Sequence, residues 1–140
     1  MRALRLAALF ACLSLVGCGD FGDEPAAAHD RDPVGPPPET VSFAADVQPI
    51  FDGNCVGCHG EGGNAGLDLR AGSSLANLVG VIATESSLAR IEPGDPSASW
   101  LYLKLTGQQN VGVSMPPGDP LSADLTELVR TWIEEGALDN

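Results

Sequence analysis

Two cysteines and a histidine lie close together in the segment from Asn54 to Gly63, which reads NCVGCHGEGG. Cys55, Cys58 and His59 form the pattern CxxCH, the attachment sequence for a c-type haem. In such a site the sulfurs form thioether bonds to the porphyrin and the histidine binds the iron. The spacing suits this chemistry, because one turn of backbone presents both sulfurs to neighbouring corners of one porphyrin. The sequence therefore predicts one covalent haem c, with Cys55 and Cys58 as its thioether residues and His59 as proximal iron ligand.

Three other uses of these residues fit the sequence less well. A zinc site needs four ligands, and beyond residue 18 the chain offers only His29 as a further cysteine or histidine. A thioredoxin-like dithiol expects a strand before the CxxC and a βαβ framework, and neither is visible. A structural disulfide leaves His59 without a role.

The sixth ligand of the iron is indicated by elimination. Beyond residue 17 the chain has one methionine, Met115, and one histidine outside the CxxCH, His29, which lies in a segment with no reason to be ordered. A lone methionine is more often core filler, but Met115 lies in the Gly/Pro loop VSMPPGDPLS rather than in an apolar periodic run. The prolines reduce the chain entropy lost when such a loop is pinned across a haem face. We therefore expect Met115 to be the sixth ligand.

Capping residues and apolar spacing predict a mostly helical domain with long Gly/Pro-rich loops. The predicted helices begin at Ser42, near Ser73 and Ser74, at Asp95 and Pro96, and at Ser122. Pro49 makes the end of the first helix uncertain, while Gly107 and Gly136 follow the ends of the last two. No stretch shows sustained strand alternation flanked by hairpin turns. The expected fold class is all-α.

The N-terminal part divides into two further segments. Residues 1–17 have arginines at positions 2 and 5 followed by a short apolar run, which is typical of a secretory signal peptide. The end of this run resembles the lipobox of bacterial lipoproteins, so we expect cleavage before Cys18 and lipidation of its sulfur; a plain signal peptide with an incidental cysteine is the alternative. Residues 18–40 are rich in proline and acids and are predicted to be a disordered tether. Residues 41–140 would form the folded domain.

The charge balance argues against nucleic-acid binding, and the histidine content argues against an enzyme. The chain has 19 acidic and 7 basic residues, so a polyanion such as nucleic acid would be repelled. A redox protein with a basic docking patch is the expected partner. No histidine outside the CxxCH lies in the predicted domain to serve as a general base, and we expect no enzymatic activity of its own.

The chain resembles the small class I-type c cytochromes, and more closely bacterial monohaem domains. The resemblance covers about residues 41–138 and is carried by FAADVQPIFDGNCVGCHG, GLDLRAG, IEPGDPSASWLYLKLTG, MPPGDPLS and WIEEGA. It implies a cytochrome c-like fold wrapped around one haem, with the first and last helices crossing near a haem edge. The residues expected to meet at this crossing are Phe43, Val47 and Phe51 with Leu128, Trp132 and Ile133.

The resemblance leaves two details of the site open. Trp100 and Tyr102 would either donate hydrogen bonds to the haem propionates or only pack in the core. Class I members commonly have a proline soon after the CxxCH, near the carbonyl that orients the proximal imidazole, whereas this chain has none between Cys58 and Pro93. The hydrogen-bond partner of His59 is therefore unassigned.

A haem iron held by His59 and Met115 has both axial positions filled, which favours electron transfer over catalysis. The sequence thus predicts a lipid-anchored monohaem electron carrier on the periplasmic side of a bacterial inner or outer membrane. Two alternatives stay open: a haem sensor with a labile sixth ligand, and an electron-entry subunit of a larger oxidoreductase.

Overall fold

The structure, a computed structural model, describes residues 40–140. These residues contain four α-helices: α1 (Gln48–Asn54), α2 (Ser74–Leu78), α3 (Trp100–Thr106) and α4 (Ala123–Glu134). A π-helical turn occupies Phe43–Val47, and 3₁₀ turns occupy Asn64–Gly66 and Pro96–Ala98. Strand-like pairing in this part of the chain is limited to isolated bridges, Val79 with Ile91 and Ile82 with Ala89. The prediction of a helical domain with long loops is confirmed.

The predictions for the N-terminal segments concern residues that the structure does not describe. The predicted signal peptide (residues 1–17), the predicted lipidation site Cys18 and the predicted tether through residue 39, with His29, lie outside the described residues. Within residues 40–140, no helix combines the length and apolar character needed to cross a bilayer.

The first predicted helix begins at Ser42, as expected. The Ser42 hydroxyl accepts a hydrogen bond from the Ala45 N–H at 3.1 Å, and the chain then makes the π-helical turn. Pro49 does not end the helix. It lies in the first turn of α1, where its missing N–H is tolerated because the N–H groups of a first turn have no partner within the same helix.

The helix predicted to run from Asp95 to Gly107 is divided in two. The Asp95 carboxylate caps only the 3₁₀ turn, accepting from the Ser97 and Ala98 N–H groups at 2.9 and 3.1 Å. Ser99 then takes an extended conformation (φ −95°, ψ 109°) and donates from its buried hydroxyl to the Asp95 carbonyl at 2.8 Å. A serine side chain that bonds the local backbone competes with helix continuation, so the prediction of one helix was wrong. Gly107, at φ 70°, ends α3 as expected.

The last helix, α4, packs on the π-helical turn with which the first predicted helix begins, as the resemblance implied. The Ser122 hydroxyl caps α4 by accepting from the Leu125 N–H at 3.4 Å. The rings of Phe43 and Trp132 lie with centroids 5.1 Å apart, and Trp132 is fully buried. The shared core consists of Phe43, Val47, Ile50, Phe51, Leu67, Leu69, Leu78, Ile91, Leu105, Val129, Trp132, Ile133 and Ala137. This packing fixes the end of α1, from which the CxxCH continues.

Candidate functional site

The CxxCH forms a single turn directly after α1. The Cys55 N–H donates to the Phe51 carbonyl at 2.8 Å, and the Cys58 and His59 N–H groups donate to the Cys55 carbonyl at 3.0 and 2.9 Å. This turn carries the side chains of Cys55, Cys58 and His59 to one cavity, which all three line. The sulfurs form no disulfide in the structure.

The Cys55 thiol is partly buried against apolar neighbours. Burial raises its pKa to about 11, and the adjacent Cys58 adds to the shift. The group is therefore neutral near pH 7, which suits an apolar wall and lowers its reactivity, because the thiolate is the nucleophile.

A closed loop after the CxxCH orients the His59 ring. The ring Nδ1 lies 3.1 Å from the Asn64 carbonyl oxygen. Because this partner is an acceptor, the contact is a hydrogen bond when Nδ1 holds the proton, and the Nε2 lone pair is then free for a metal. The His59 carbonyl in turn accepts from the Leu69 N–H at 2.8 Å. The partner that the sequence left unassigned is therefore a backbone carbonyl five residues after the histidine.

Met115 lines the same cavity, and contacts with Lys104 hold the loop that contains Met115. The Met115 N–H donates to the Lys104 carbonyl at 2.8 Å. The buried Lys104 ammonium donates to the carbonyls of Val111 and Val113 at 3.0 and 3.4 Å and forms an ion pair with Glu85 at 2.7 Å. One side chain thus ties together α3, the Met115 loop and the segment that contains Glu85.

The cavity has the size and lining of a cofactor pocket. Its volume is about 450 Å³, within the roughly 300–1,000 Å³ usual for such sites. Its apolar walls include Leu67, Leu69, Leu78, Trp100, Leu101 and Leu105, and its charged residues are Glu85, Arg90 and Lys104. The donor set fits a c-type haem: sulfurs one turn apart, an imidazole with Nδ1 engaged, and a thioether in a predominantly apolar cavity.

Other predicted site residues are placed differently. Trp100 lines the cavity, with its ring 5.2 Å from the Lys104 ammonium, whereas Tyr102 is not among the lining residues and packs against the core. Trp132 is core, as expected, and its indole N–H donates to the Leu138 carbonyl at 2.9 Å. Sequence reasoning missed Arg90 and Lys104.

The described structure gives little support to the zinc and thioredoxin-like alternatives to haem. In residues 40–140 no group of three or more His, Cys, Asp or Glu side chains is arranged to hold a metal ion, whereas structural zinc is bound by four ligands. The CxxC follows a helix rather than a strand, and the described part of the chain contains no βαβ unit.

A small helical domain with a CxxCH and a methionine on one apolar cavity has the features of a c-type cytochrome domain. Residues 55–119 match a family model described as Planctomycete cytochrome C. No curated protein and no solved structure matches the chain. The family match supports a c-type cytochrome domain, and the cofactor that this family implies is covalently bound haem c. Cys55 and Cys58 both lie within the matched residues.

Proposed function

We propose that this protein is a monohaem electron carrier in which Cys55 and Cys58 hold the haem and His59 and Met115 hold its iron. When bound, the haem supplies reversible one-electron chemistry. The observation that carries the proposal is that all four residues line one apolar cavity. His59 and Met115 together would exclude external ligands from the iron, which suits an electron carrier better than a catalyst of oxygen or peroxide chemistry.

The chain supports this role in two further ways. The Asn64 carbonyl favours the His59 tautomer that leaves Nε2 for the iron. The Lys104 contacts keep the Met115 loop against the cavity, and a thioether ligand stabilises ferrous iron and raises the reduction potential relative to a bis-histidine site.

The location and partners belong to the same proposal. c-type cytochrome domains are typically extracytoplasmic, and we propose export by the segment 1–17 and anchoring through lipid on Cys18. The partner would be a redox protein with a basic docking patch, since the chain has a formal net charge of −12. A mass measurement on the mature protein made in a lipoprotein-processing host tests the anchor: an unmodified Cys18 overturns it.

The central test is a pair of absorption spectra, ferric and ferrous, for the parent protein and for Met115→Ala, made in a host that matures c-type cytochromes. We expect a weak far-red band in the ferric parent that Met115→Ala loses, because that band reports thioether ligation. Leu101→Ala, which also truncates a side chain lining the cavity, is the matched control and should retain the band.

The other outcomes decide between functions. A colourless parent whose mass shows no added haem contradicts the whole proposal. A coloured parent with a high-spin ferric spectrum and rapid carbon monoxide binding when reduced contradicts the carrier and favours a haem sensor with a labile sixth ligand. Stable copurification of a larger redox partner would instead favour an electron-entry subunit.

A further inference from the structure

Gln48 is a buried amide in the first turn of α1. Only 7% of its surface is exposed. Its Nε2 donates to the Leu69 carbonyl at 2.9 Å and to the Asp52 carboxylate at 2.8 Å, and its Oε1 accepts from the hydroxyl of the fully buried Ser74. Because a backbone carbonyl can only accept, the amide nitrogen must face Leu69. Both N–H donors and the oxygen of this side chain are therefore used, which fixes its orientation.

Leu69 links this amide to the histidine of the CxxCH. Leu69 is 1% exposed and lines the cavity. Its N–H donates to the His59 carbonyl at 2.8 Å, while its own carbonyl accepts from Gln48. The backbone of a single residue thus connects the start of α1 to the backbone of His59, and a displacement of Leu69 would displace the His59 carbonyl with it.

His59 depends on this contact for its orientation. Its N–H donates to the Cys55 carbonyl within the turn at 2.9 Å, whereas its carbonyl is held by Leu69, which lies further along the chain. Its ring Nδ1 lies 3.1 Å from the carbonyl oxygen of Asn64, in the loop between them. The turn fixes only one side of the His59 backbone, so the other side needs Leu69 to be held in place. Gln48 is the side chain that holds it.

We propose that Gln48 is a positioning residue for the iron ligand His59: acting through Leu69, it keeps the His59 ring aligned with the Asn64 carbonyl. The inference rests on the proposed function, because it concerns His59 as a haem ligand. A hydrogen bond at Nδ1 raises the basicity of a metal-bound imidazole. Because a more basic ligand favours the ferric state, Gln48 should lower the reduction potential.

The test replaces Gln48 by leucine in the haem-loaded protein. Leucine is a good helix former that removes both N–H donors and adds no iron ligand. We expect a reduction potential above that of the parent. In the ferrous protein, NMR should show the His59 Nδ1 proton and the Leu69 N–H exchanging with solvent roughly tenfold faster, since the loss of one buried hydrogen bond eases local opening by about that factor. The far-red band should persist, because Met115 bonds to the Lys104 backbone outside this network.

Ser74→Ala is the matched control. It removes the hydroxyl that donates to Oε1 of the same amide and leaves the bond from Nε2 to Leu69. We expect lower stability in urea, with the reduction potential and the His59 Nδ1 exchange of the parent. An equal rise of the potential in Ser74→Ala and Gln48→Leu overturns the inference, because the effect would then follow stability rather than the contact with Leu69.

Failure of the inference differs from failure of the proposed function. If Gln48→Leu binds haem and keeps the far-red band, the potential and the Nδ1 exchange of the parent, Gln48 only joins α1 to the segment from Leu69 to Ser74 and the inference is overturned. If Gln48→Leu does not mature, proton exchange in the parent decides. Gln48 Nε2 protons that exchange while the Leu69 N–H and the His59 Nδ1 proton stay protected overturn the inference, and one opening shared by all three supports it. A parent without haem overturns the proposed function instead.

Discussion

At the scale of single residues, Lys104 is a charged side chain in a buried position, where apolar side chains are usual. Its side chain is buried, its ammonium lies among the carbonyls of Val111 and Val113 and the Glu85 carboxylate, and its own carbonyl accepts the Met115 N–H. Gly112 lies so close that a Cβ there would be 2.7 Å from the ammonium. The Met115 loop is thus built around this lysine.

Replacing Lys104 by leucine should loosen that loop. The change keeps much of the apolar volume but leaves the Glu85 carboxylate and the Val111 and Val113 carbonyls without their donor, at a cost of about 1–3 kcal/mol in the free energy of unfolding. We expect lower stability in urea, a weaker far-red band in the ferric protein and faster carbon monoxide binding to the ferrous protein.

Glu85→Gln is the control for this substitution. It removes the ion pair but leaves the ammonium bonded to both carbonyls, so the far-red band should stay close to that of the parent. If Lys104→Leu keeps the parent's band and carbon monoxide rate, the Lys104 contacts do not position Met115.

The residues of the candidate site could be read from the sequence to different degrees. Cys55, Cys58, His59 and Met115 could be singled out because their side chains have distinctive chemistry and spacing. Arg90 and Lys104 could not, because burial of a cation depends on distant segments and the same residue types are usually exposed. The Asn64 carbonyl could not be identified from the sequence because every residue has a carbonyl, and only the loop conformation brings this one to the His59 ring.

At the scale of elements, the loop from His59 to Leu69 folds back on the turn after α1 and brings a backbone carbonyl to the His59 ring. The Asn64 N–H donates to the Cys58 carbonyl at 3.1 Å while the Asn64 carbonyl faces the His59 ring at 3.1 Å. Gly63 makes this closure possible, since a Cβ there would lie 2.8 Å from the Cys58 carbonyl oxygen and from Gly60 backbone atoms. Real Cβ contacts are essentially never that short, so the close approach needs a glycine.

Gly63→Ala should therefore disturb the orientation of His59 without touching any ligand. We expect less haem-loaded protein on expression and, in what matures, a reduction potential that differs from the parent because the proximal hydrogen bond is displaced. Gly53→Ala is the matched control: Gly53 lies in α1, where a Cβ would meet no atom within 4 Å, so this variant should mature normally and be at least as stable, since alanine favours helix. Equal yields and potentials for both variants would contradict this role of Gly63.

The sequence predicted elements well where caps and apolar periodicity agreed. α4 has Ser122 at its start and an apolar face on which Val129, Trp132 and Ile133 are fully buried, and it was predicted within a residue or two. The break at Ser99 was missed because Asp95, Pro96 and the apolar residues after them form a good helix pattern locally. What divides that pattern is the bonding of the Ser99 hydroxyl to the Glu92 and Asp95 backbone, which depends on the preceding loop.

At the scale of the whole molecule, the described domain presents an acidic surface. Residues 40–140 contain 13 acidic and 4 basic side chains. Of the basic ones, Arg90 and Lys104 are buried, while Arg70 pairs with Glu61 and Asp68 and Arg130 pairs with Glu127 and Glu134. Hydrogen bonds from Arg70 and Arg130 hold the pKa values of Asp68 and Glu127 below their ordinary 3.8 and 4.5, so these carboxylates stay ionised at neutral pH.

This charge distribution predicts how the haem-loaded protein exchanges electrons with small redox complexes of opposite charge. Oxidation of the ferrous protein by a cationic complex should slow as salt is added, and oxidation by an anionic complex of similar potential should accelerate, because screening weakens attraction in the first case and repulsion in the second. Glu61→Gln should reduce the salt dependence more than Glu127→Gln, since the exposed Glu61 lies in the loop after His59 while Glu127 lies on α4, outside the cavity lining. Equal salt dependence for both complexes would mean that electrons leave through a surface region whose positive and negative charges balance. The proposal of a partner with a basic docking patch would then lose its electrostatic support.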